Sequence, residues 1–258
     1  MITVSDIVKI IEDFAPANLA YPWDNTGLIT GDLYKQVKRV FVTLDLTRET
    51  VNMAVKANAD MIISHHPILF KGIQKIDYTH GEGYIIKELI KHDIAVYASH
   101  TSTDCTIDGI NDIFAKKLGI ENPVAIEKNP DNPGCGLGRI GKVKKITLKE
   151  FAELVKIQLN TPFVRVSGDL DKEIETVAVC GGGGSDLIDD VIGLGGDVFV
   201  TADLKYHIAA DAVSEGLAII DAGHYPTEVY VQEIFSELVK DTGVEVIKSM
   251  HKDIFNIV

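Results

Sequence analysis

Short runs of β-branched and apolar residues alternate along this chain with stretches in which apolar residues recur at helical spacing. In the first half, VKRVFVTLDL reads as a strand, ETVNMAVKANA as a helix and ADMIISHHP as a second strand. Strand, helix and strand in that order form a βαβ unit, because parallel strands need a long crossover between them. The same alternation continues through the second half. The pattern therefore predicts an α/β protein with largely parallel sheets.

The best candidate for a linker is KNPDNPGCGLG, at residues 128–138. This segment concentrates Pro, Gly and Asn, which are the residues of turns and connections. We therefore expect a first α/β lobe over 1–128, a linker over 129–138 and a second α/β lobe over 139–258.

The two halves also resemble one another. A shift of 158 residues places VFVTLDL (40–46) on VFVTADL (198–204) and His66 on His224, with ten identities in the 27 positions that end at His66. The apolar matches alone could reflect the shared preferences of buried strands. Polar residues match in the same register, which favours an internal duplication.

A second similarity relates ASHTSTD (98–104) to AGHYPTE (222–228). It pairs His224 with His100 instead of His66, so the two alignments cannot both reflect a single duplication. Among the polar matches of the first alignment is Asp45 with Asp203.

Charge and composition narrow the functional classes. The net charge of −13 opposes a broad nucleic-acid interface, which needs clustered Lys and Arg. No apolar run approaches the roughly 18 residues of a membrane span, and the N-terminus lacks a secretion signal, so we expect a cytoplasmic protein with no membrane contact. The three cysteines form no C-x-x-C pair, which argues against disulfides and thiolate zinc sites.

Histidine side chains follow three of the predicted strands, at the point where each strand ends. Open α/β sheets build their ligand sites at the carboxyl ends of parallel strands, so we expect these side chains to converge on one cleft. Imidazole together with carboxylate suits Zn, Fe, Mn, Co or Ni better than Ca or Mg. The residues that predict this metal site are His65, His66, His100 with Asp104, and His224 with Glu228.

The adjacent histidines favour two ions over one. On an extended backbone, His65 and His66 would point to opposite sides, whereas in the turn before Pro67 they could reach two neighbouring ions. Two ions about 3.5–4 Å apart activate a water as hydroxide and clamp the group under attack, which makes hydrolysis the natural chemistry. We interpret the isolated histidines as ordinary core or surface residues; they are His80, His92 and His251.

Two further motifs carry weaker signals. Asp203, Lys205 and His207 stand at alternating positions and are equally compatible with an acid/base set and with a solvated loop. Four glycines at 181–184 lie between a strand and a helix, where phosphate cradles are found. The acidic residues that follow would repel an anion, which favours a tight turn or a wall of the metal cleft.

The chain resembles the GTP cyclohydrolase I type 2 homologs, also called the Nif-three-like proteins. The matching segments, in the family's order, are YPWDNTGLITGD, ISHHPILFKGI, SHTSTD, GGGGSDLI, TADLKYH and DAGHYPTE. They extend from about Trp23 to Glu228 and so cover nearly the whole chain. SHHP combined with D-x-G-H-x-x-x-E is a specific pair of motifs.

This resemblance implies two intertwined, similar α/β lobes with mixed, largely parallel sheets in three α/β/α layers. It also implies a toroidal homohexamer and two divalent metal ions per chain. The ligands implied by the resemblance are His65, His66, Asp104, His224 and Glu228, with Glu228 as the bridge. His100 becomes a neighbour of the ions, although its loop reads HTSTD where many relatives have a more apolar spacer. The chain is the short form, without the domain that some relatives insert between the lobes.

Three functional hypotheses follow from the residues and the resemblance. The leading one is a dinuclear-metal hydrolase acting on a small polar or nucleotide-like substrate, with His100 or His207 moving protons. The alternative is a toroidal regulatory protein whose metals are structural or sense metal supply and whose partner is a protein or single-stranded nucleic acid. A metal-storage or metal-chaperone role is the third, because ligands show that a metal binds and not what it does.

Overall fold

The structure is a computed structural model that describes residues 1–256. Its helices are α1 Val4–Phe14, α2 Arg48–Lys56, α3 Gly81–Lys91, α4 Thr101–Cys105, α5 Ile110–Lys117, α6 Leu148–Leu159, α7 Ile188–Gly193, α8 Tyr206–Ser214, α9 His224–Glu228 and α10 Val231–Val239. Its strands are β1 Gly27–Thr30, β2 Arg39–Thr43, β3 Met61–Ser64, β4 Ala95–Ala98, β5 Glu121–Lys128, β6 Gly136–Thr147, β7 Arg165–Ser167, β8 Glu173–Val179, β9 Val198–Thr201, β10 Ala218–Asp221 and β11 Glu245–Lys248.

Threonine caps fix the starts of several helices. Thr3 and Asp6 form a reciprocal capping box at the start of α1, and Thr147 and Glu150 form one at the start of α6. In each box the hydroxyl accepts from a backbone N–H of the first turn, while the carboxylate accepts from the threonine N–H. Thr3 is therefore the N-cap of α1, and Thr147 is the N-cap of α6.

The first unit comprises residues 1–103 and 229–252. Its sheet has the strand order β1-β4-β3-β2-β11, in which β1 is the antiparallel edge and the other strands are parallel. Val96 belongs to a buried cluster with residues of α2 and α3, whereas the neighbouring Tyr97 donates its hydroxyl to Glu12 of α1 at 3.0 Å. Because successive side chains point to opposite faces of a sheet, helices cover both faces.

The second unit comprises residues 104–228 and 253–256. Its sheet has the order β5-β6-β8-β9-β10-β7, with β8, β9 and β10 parallel and the remaining pairs antiparallel. Ala178, Phe199 and Ile219 pack with α7 and α8 in one buried cluster. Two units with mixed sheets confirm the predicted α/β class.

The chain divides at places other than the predicted linker. The segment over 129–138 closes the hairpin between β5 and β6, where Asn129 N–H donates to the Cys135 carbonyl at 3.0 Å. The segment therefore lies inside one sheet, and the boundary between the two units along the chain is not at 129–138. Instead the chain passes from the first unit to the second after Thr103 and returns after Glu228. Pro, Gly and Asn mark turns of every kind, which is why composition cannot separate a hairpin loop from a linker.

The sheets distinguish between the two internal similarities. The second similarity relates the segments that follow β4 and β10, and each of these strands lies between a parallel strand and an antiparallel edge strand. The shift of 158 instead places β3 on β10, although β3 has parallel strands on both sides. The topology favours the second similarity, and descent of the units from one ancestor stays a prediction.

Within residues 1–256, no helix combines the length and the apolar character that crossing a membrane requires.

Candidate metal centre

Three histidines cluster at the ends of adjacent parallel strands in the first unit. His65 and His66 follow β3, and His100 follows β4. Their ring centroids are 4.8–5.3 Å apart, and one nitrogen from each ring lies within 4.8 Å of the others. The pair lies beyond the strand, in the turn before Pro67, so the alternation of a strand does not separate the two rings.

Each histidine of this cluster donates its Nδ1 hydrogen to an oxygen. His65 Nδ1 lies 3.0 Å from the Ser99 carbonyl oxygen and His66 Nδ1 lies 2.7 Å from Asp45 Oδ1. His100 Nδ1 lies 2.9 Å from Asp24 Oδ1. A carbonyl or an ionised carboxylate only accepts, so Nδ1 carries the proton in all three rings. A neutral ring of this tautomer keeps its lone pair on Nε2, the arrangement that metal-binding histidines show.

Asp24 is the most completely buried of the carboxylates that orient these rings, with no exposed side-chain surface. It accepts from His100 and also from the N–H and hydroxyl of Thr101, at 3.0 and 2.6 Å, and from the Thr26 hydroxyl at 2.9 Å. Burial by itself would raise the pKa of Asp24, but the hydrogen bonds from His100 and Thr101 hold that pKa well below its usual range. The carboxylate is therefore ionised when it orients His100.

Asp45 orients His66 in the same way and contacts a second histidine, His251. Its Oδ2 lies 3.7 Å from Nε2 of His251, which is buried and which the sequence placed among the ordinary histidines. Burial alone would raise the pKa of Asp45, and its interactions with His251 and His66 lower that pKa well below the usual range. The other two isolated histidines flank α3 as its terminal caps, with His80 at the start and His92 at the end.

In the second unit, Asp104, His224 and Glu228 are the predicted ligands. Asp104 and Glu228 are buried carboxylates, 6% and 3% exposed. His224 and Glu228 are four residues apart on α9, and His224 Nε2 lies 3.0 Å from Glu228 Oε2. His224 Nδ1 lies 2.7 Å from Asp203 Oδ2, so Asp203 takes the single N–H of a neutral ring. A neutral ring would then bring the lone pairs of Nε2 and Oε2 face to face, so a bound cation or a second ring proton would stabilise this contact.

The first internal similarity, at a shift of 158 residues, contained a signal for two of these orienting carboxylates. The shift of 158 matches Asp45 with Asp203 and His66 with His224, and the structure shows the same 2.7 Å Nδ1–carboxylate bond in both pairs. The sequence presented these matches only as support for a duplication. Asp24 had no such signal beyond its position in the YPWDNTG segment.

The glycine loop at 181–184 packs against the ligands of the second unit. Gly182 has a φ of +62°, and a Cβ at this position would lie 2.3 Å from Glu228 Oε1 and 3.1 Å from His224 Nε2. Only glycine permits this approach.

Side-chain oxygens accept hydrogen bonds from three of the four glycine N–H groups. The N–H groups of Gly181, Gly182 and Gly184 donate to Asn111 Oδ1, Thr227 Oγ1 and Thr201 Oγ1 at 2.8–3.0 Å. A phosphate would have little more than Gly183 to bind, so the loop acts as a wall and not as a cradle.

The structure places His207 on α8, with its ring exposed and 5.3 Å from the ring of Tyr206. Because α8 begins at Tyr206, the strand-like alternation of Asp203, Lys205 and His207 does not apply. Asp203 contacts His224, and a role of His207 in proton transfer stays a prediction.

The donor set fits a divalent transition metal. It consists of imidazole nitrogens whose opposite N–H is hydrogen-bonded, together with buried carboxylates, which is the composition of zinc, iron and manganese sites. The 3.0 Å between His224 Nε2 and Glu228 Oε2 is also the spacing expected of two donors that each lie about 2.1 Å from one ion.

The profile of the Duf34/NIF3 (NGG1p interacting factor 3) family matches residues 2–254. The chain belongs to this family. A relative named GTP cyclohydrolase 1 type 2 homolog, from Clostridium perfringens, is 36% identical over 260 residues, covering 99% of this chain and 99% of the relative. The crystal structure of a Bacillus cereus protein related to NIF3 superposes with a TM-score of 0.92 at 29% identity, covering 100% of this chain and 99% of that one.

Some members of the Duf34/NIF3 family are longer than this chain. The Bacillus subtilis GTP cyclohydrolase 1 type 2 homolog is 28% identical over an alignment of 338 residues, covering 90% of this chain and 91% of the relative. That alignment has more positions than this NIF3 protein has residues, which agrees with its being a short form.

Proposed function

We propose that this chain is a metal-dependent hydrolase that holds two divalent ions. His65, His66, Asp104, His224 and Glu228 are the proposed ligands, with Glu228 shared between the ions. The observation that supports the proposal best is the Nδ1 hydrogen bond of each histidine ligand, to Ser99, Asp45 or Asp203. A metal pair would supply an activated water and would polarise the bond under attack.

The chain's own residues have separate parts in this proposal. Asp45 and Asp203 fix the rings of His66 and His224, so that the Nε2 lone pairs stay directed. His100 lies beside His65 and His66 and carries a proton to or from the substrate. The substrate class is a small polar or nucleotide-like molecule, in keeping with the name of the relatives.

The test compares metal content and hydrolysis in the wild type and in Glu228→Gln. Glu237→Gln is a matched control, because Glu237 is an exposed glutamate on α10. We expect about two ions per wild-type and control chain by mass spectrometry of the metals, and fewer in Glu228→Gln, with hydrolysis of nucleotides or phosphoesters lost in step. Full metal content with no hydrolysis of any nucleotide or phosphoester would instead favour the regulatory alternative. No bound metal in the wild type would refute the site.

We also propose that the protein assembles into a ring-shaped homohexamer, as the resemblance implies. Light scattering would then give a mass of about 170 kDa, six times the chain mass of 28.2 kDa. A monomer or dimer at micromolar concentration would contradict the assembly and leave the metal proposal untouched.

A further inference from the structure

Two aromatic side chains lie beside His100 in the first unit, and a third stacks on one of them. The ring centroids of Trp23 and Phe70 lie 6.0 and 5.6 Å from that of His100, both edge to face. Tyr21 stacks on Trp23 with centroids 5.8 Å apart and an angle of 19° between the rings. We call Tyr21, Trp23 and Phe70 the aromatic rim.

Two members of the aromatic rim, Trp23 and Phe70, are exposed although they are large apolar groups, and Tyr21 is half-buried. Trp23 is 60% exposed and Phe70 is 48% exposed. Aromatic side chains of this size usually contribute to a core, and exposed ones beside a polar cluster mark a surface that binds something. Both rings contact His100, so whatever covers them also lies beside the histidine cluster.

Hydrogen bonds hold the rim in place without a ligand. Asn25 Nδ2 donates to the Leu69 carbonyl at 2.5 Å, which ties the loop that carries Trp23 to the segment that carries Phe70. Tyr21 N–H donates to Thr101 Oγ1 at 3.0 Å, next to His100. A surface whose rings are already positioned loses little entropy when a ligand binds.

We propose that the aromatic rim binds a planar heteroaromatic ring of the substrate by stacking and thereby presents that ring to the histidine cluster. This inference rests on the proposed function, because it specifies which substrates that site accepts. Stacking on exposed aromatic side chains is tolerant of ring identity, since every such ring has a π-face. The surface formed by a few rings beside one histidine matches the area that a single heterocycle covers better than the area that a protein partner covers.

The only tryptophan of the sequence belongs to the rim, so its fluorescence reports directly on the site. GMP and UMP are titrated into the metal-loaded protein, with ribose 5-phosphate as the comparison that lacks a base. We expect both nucleotides to quench the fluorescence saturably, and ribose 5-phosphate to have no effect at the same concentrations. Calorimetry on the same ligands gives affinities that do not depend on the tryptophan signal.

Three variants test the contribution of each ring. We expect Trp23→Leu and Phe70→Leu to weaken GMP binding about 10- to 100-fold, while Trp23→Phe retains most of the affinity because it keeps a π-face. Tyr34→Leu is the matched control, because Tyr34 is an 85% exposed aromatic residue of the same unit outside the rim. Circular dichroism shows whether each variant is folded.

Several outcomes would overturn the inference. Equal binding of GMP and ribose 5-phosphate would show that the ring is not what is recognised. Equal effects of Trp23→Leu and Tyr34→Leu would show that the rim is not the binding surface, and no saturable effect of either nucleotide would leave a protein partner as its occupant. Metal content is measured alongside: ring binding without bound metal refutes the hydrolase alone, and bound metal without ring binding refutes this inference alone.

Discussion

At the scale of single residues, the carboxylates hydrogen-bonded to the histidines determine which ring nitrogen is available to a metal. An imidazole whose Nδ1 donates to Asp45 or Asp203 is fixed both in tautomer and in ring orientation. The sequence predicted the histidines from their positions after strands. It could not predict which carboxylate faces which ring, because that depends on how separate strand ends meet.

Asp45→Asn should weaken metal binding by about 10- to 100-fold, because an amide supports His66 less strongly than a carboxylate does. Asp13→Asn is the control, since Asp13 is an exposed residue on α1. A competition titration against a chelator measures the affinity. Unchanged affinity in Asp45→Asn would show that His66 needs no support from Asp45.

Gly182→Ala should abolish the binding of at least one ion, because the added methyl would collide with the Glu228 carboxylate. The matched control is Gly195→Ala, whose glycine has a φ of +74° and nothing within 4 Å of the added Cβ. Both variants should lose about 1–2 kcal/mol of stability from the left-handed backbone. Metal analysis after dialysis separates them, and equal metal content would contradict the role of the loop as a wall.

At the scale of elements, the periodic ones were predictable and the short or irregular ones were not. The sequence predicted strands at residues that became β2 and β3, where β-branched runs are short and well bounded. The sequence predicted neither α4 nor α9 as a helix, because five residues are too few to show a helical period. These two short helices carry Asp104, His224 and Glu228.

Asn111 joins α4, which carries Asp104, to the glycine loop at 181–184. Its Nδ2 donates to the Asp104 carbonyl at 3.0 Å and its Oδ1 accepts from Gly181 N–H at 2.9 Å. Asn111 is completely buried and lies on α5. A single side chain therefore links α4 to the glycine loop.

Asn111→Ala should lower the free energy of unfolding by about 2–4 kcal/mol, because it leaves a buried carbonyl and a buried N–H without this partner. Asn52→Ala serves as the comparison, since Asn52 is half-buried and accepts one bond, from the Tyr84 hydroxyl. Chemical denaturation measures both variants. Similar losses of unfolding free energy in the two variants would show that the link through Asn111 contributes no more to stability than a single half-buried hydrogen bond.

At the scale of the whole molecule, each unit is assembled from two separate parts of the chain. The sheet of the first unit is completed by β11, which pairs with β2 from the far end of the sequence. Arg39 and Glu245 add an ion pair between the same two strands, with Nε and Oε2 2.7 Å apart. Composition gives no sign of such an exchange, because pairing between distant strands leaves no local pattern.

A fragment of residues 1–128 should therefore fail to fold, although the sequence suggested that it is a lobe. It lacks α10 and β11 of the first unit and carries β5 without its partner β6. Residues 1–103 joined by a flexible linker to 229–252 contain every strand of the first sheet and are the comparison. Circular dichroism and thermal melting distinguish the two. A cooperative melt of the 1–128 fragment would contradict the assembly of the units from exchanged segments.

The loop of the hairpin between β5 and β6 is a position at which this chain can accept an insertion. Because a hydrogen bond next to the paired strands holds Asn129 and Cys135 together, each doubling of the connection between them adds about 0.6 kcal/mol of loop-closure entropy. A folded module grafted between Asp131 and Asn132 would leave the strand pairing on either side intact. Evolution and protein engineering can therefore enlarge the molecule at this loop while the strand ends that carry the histidines stay where they are.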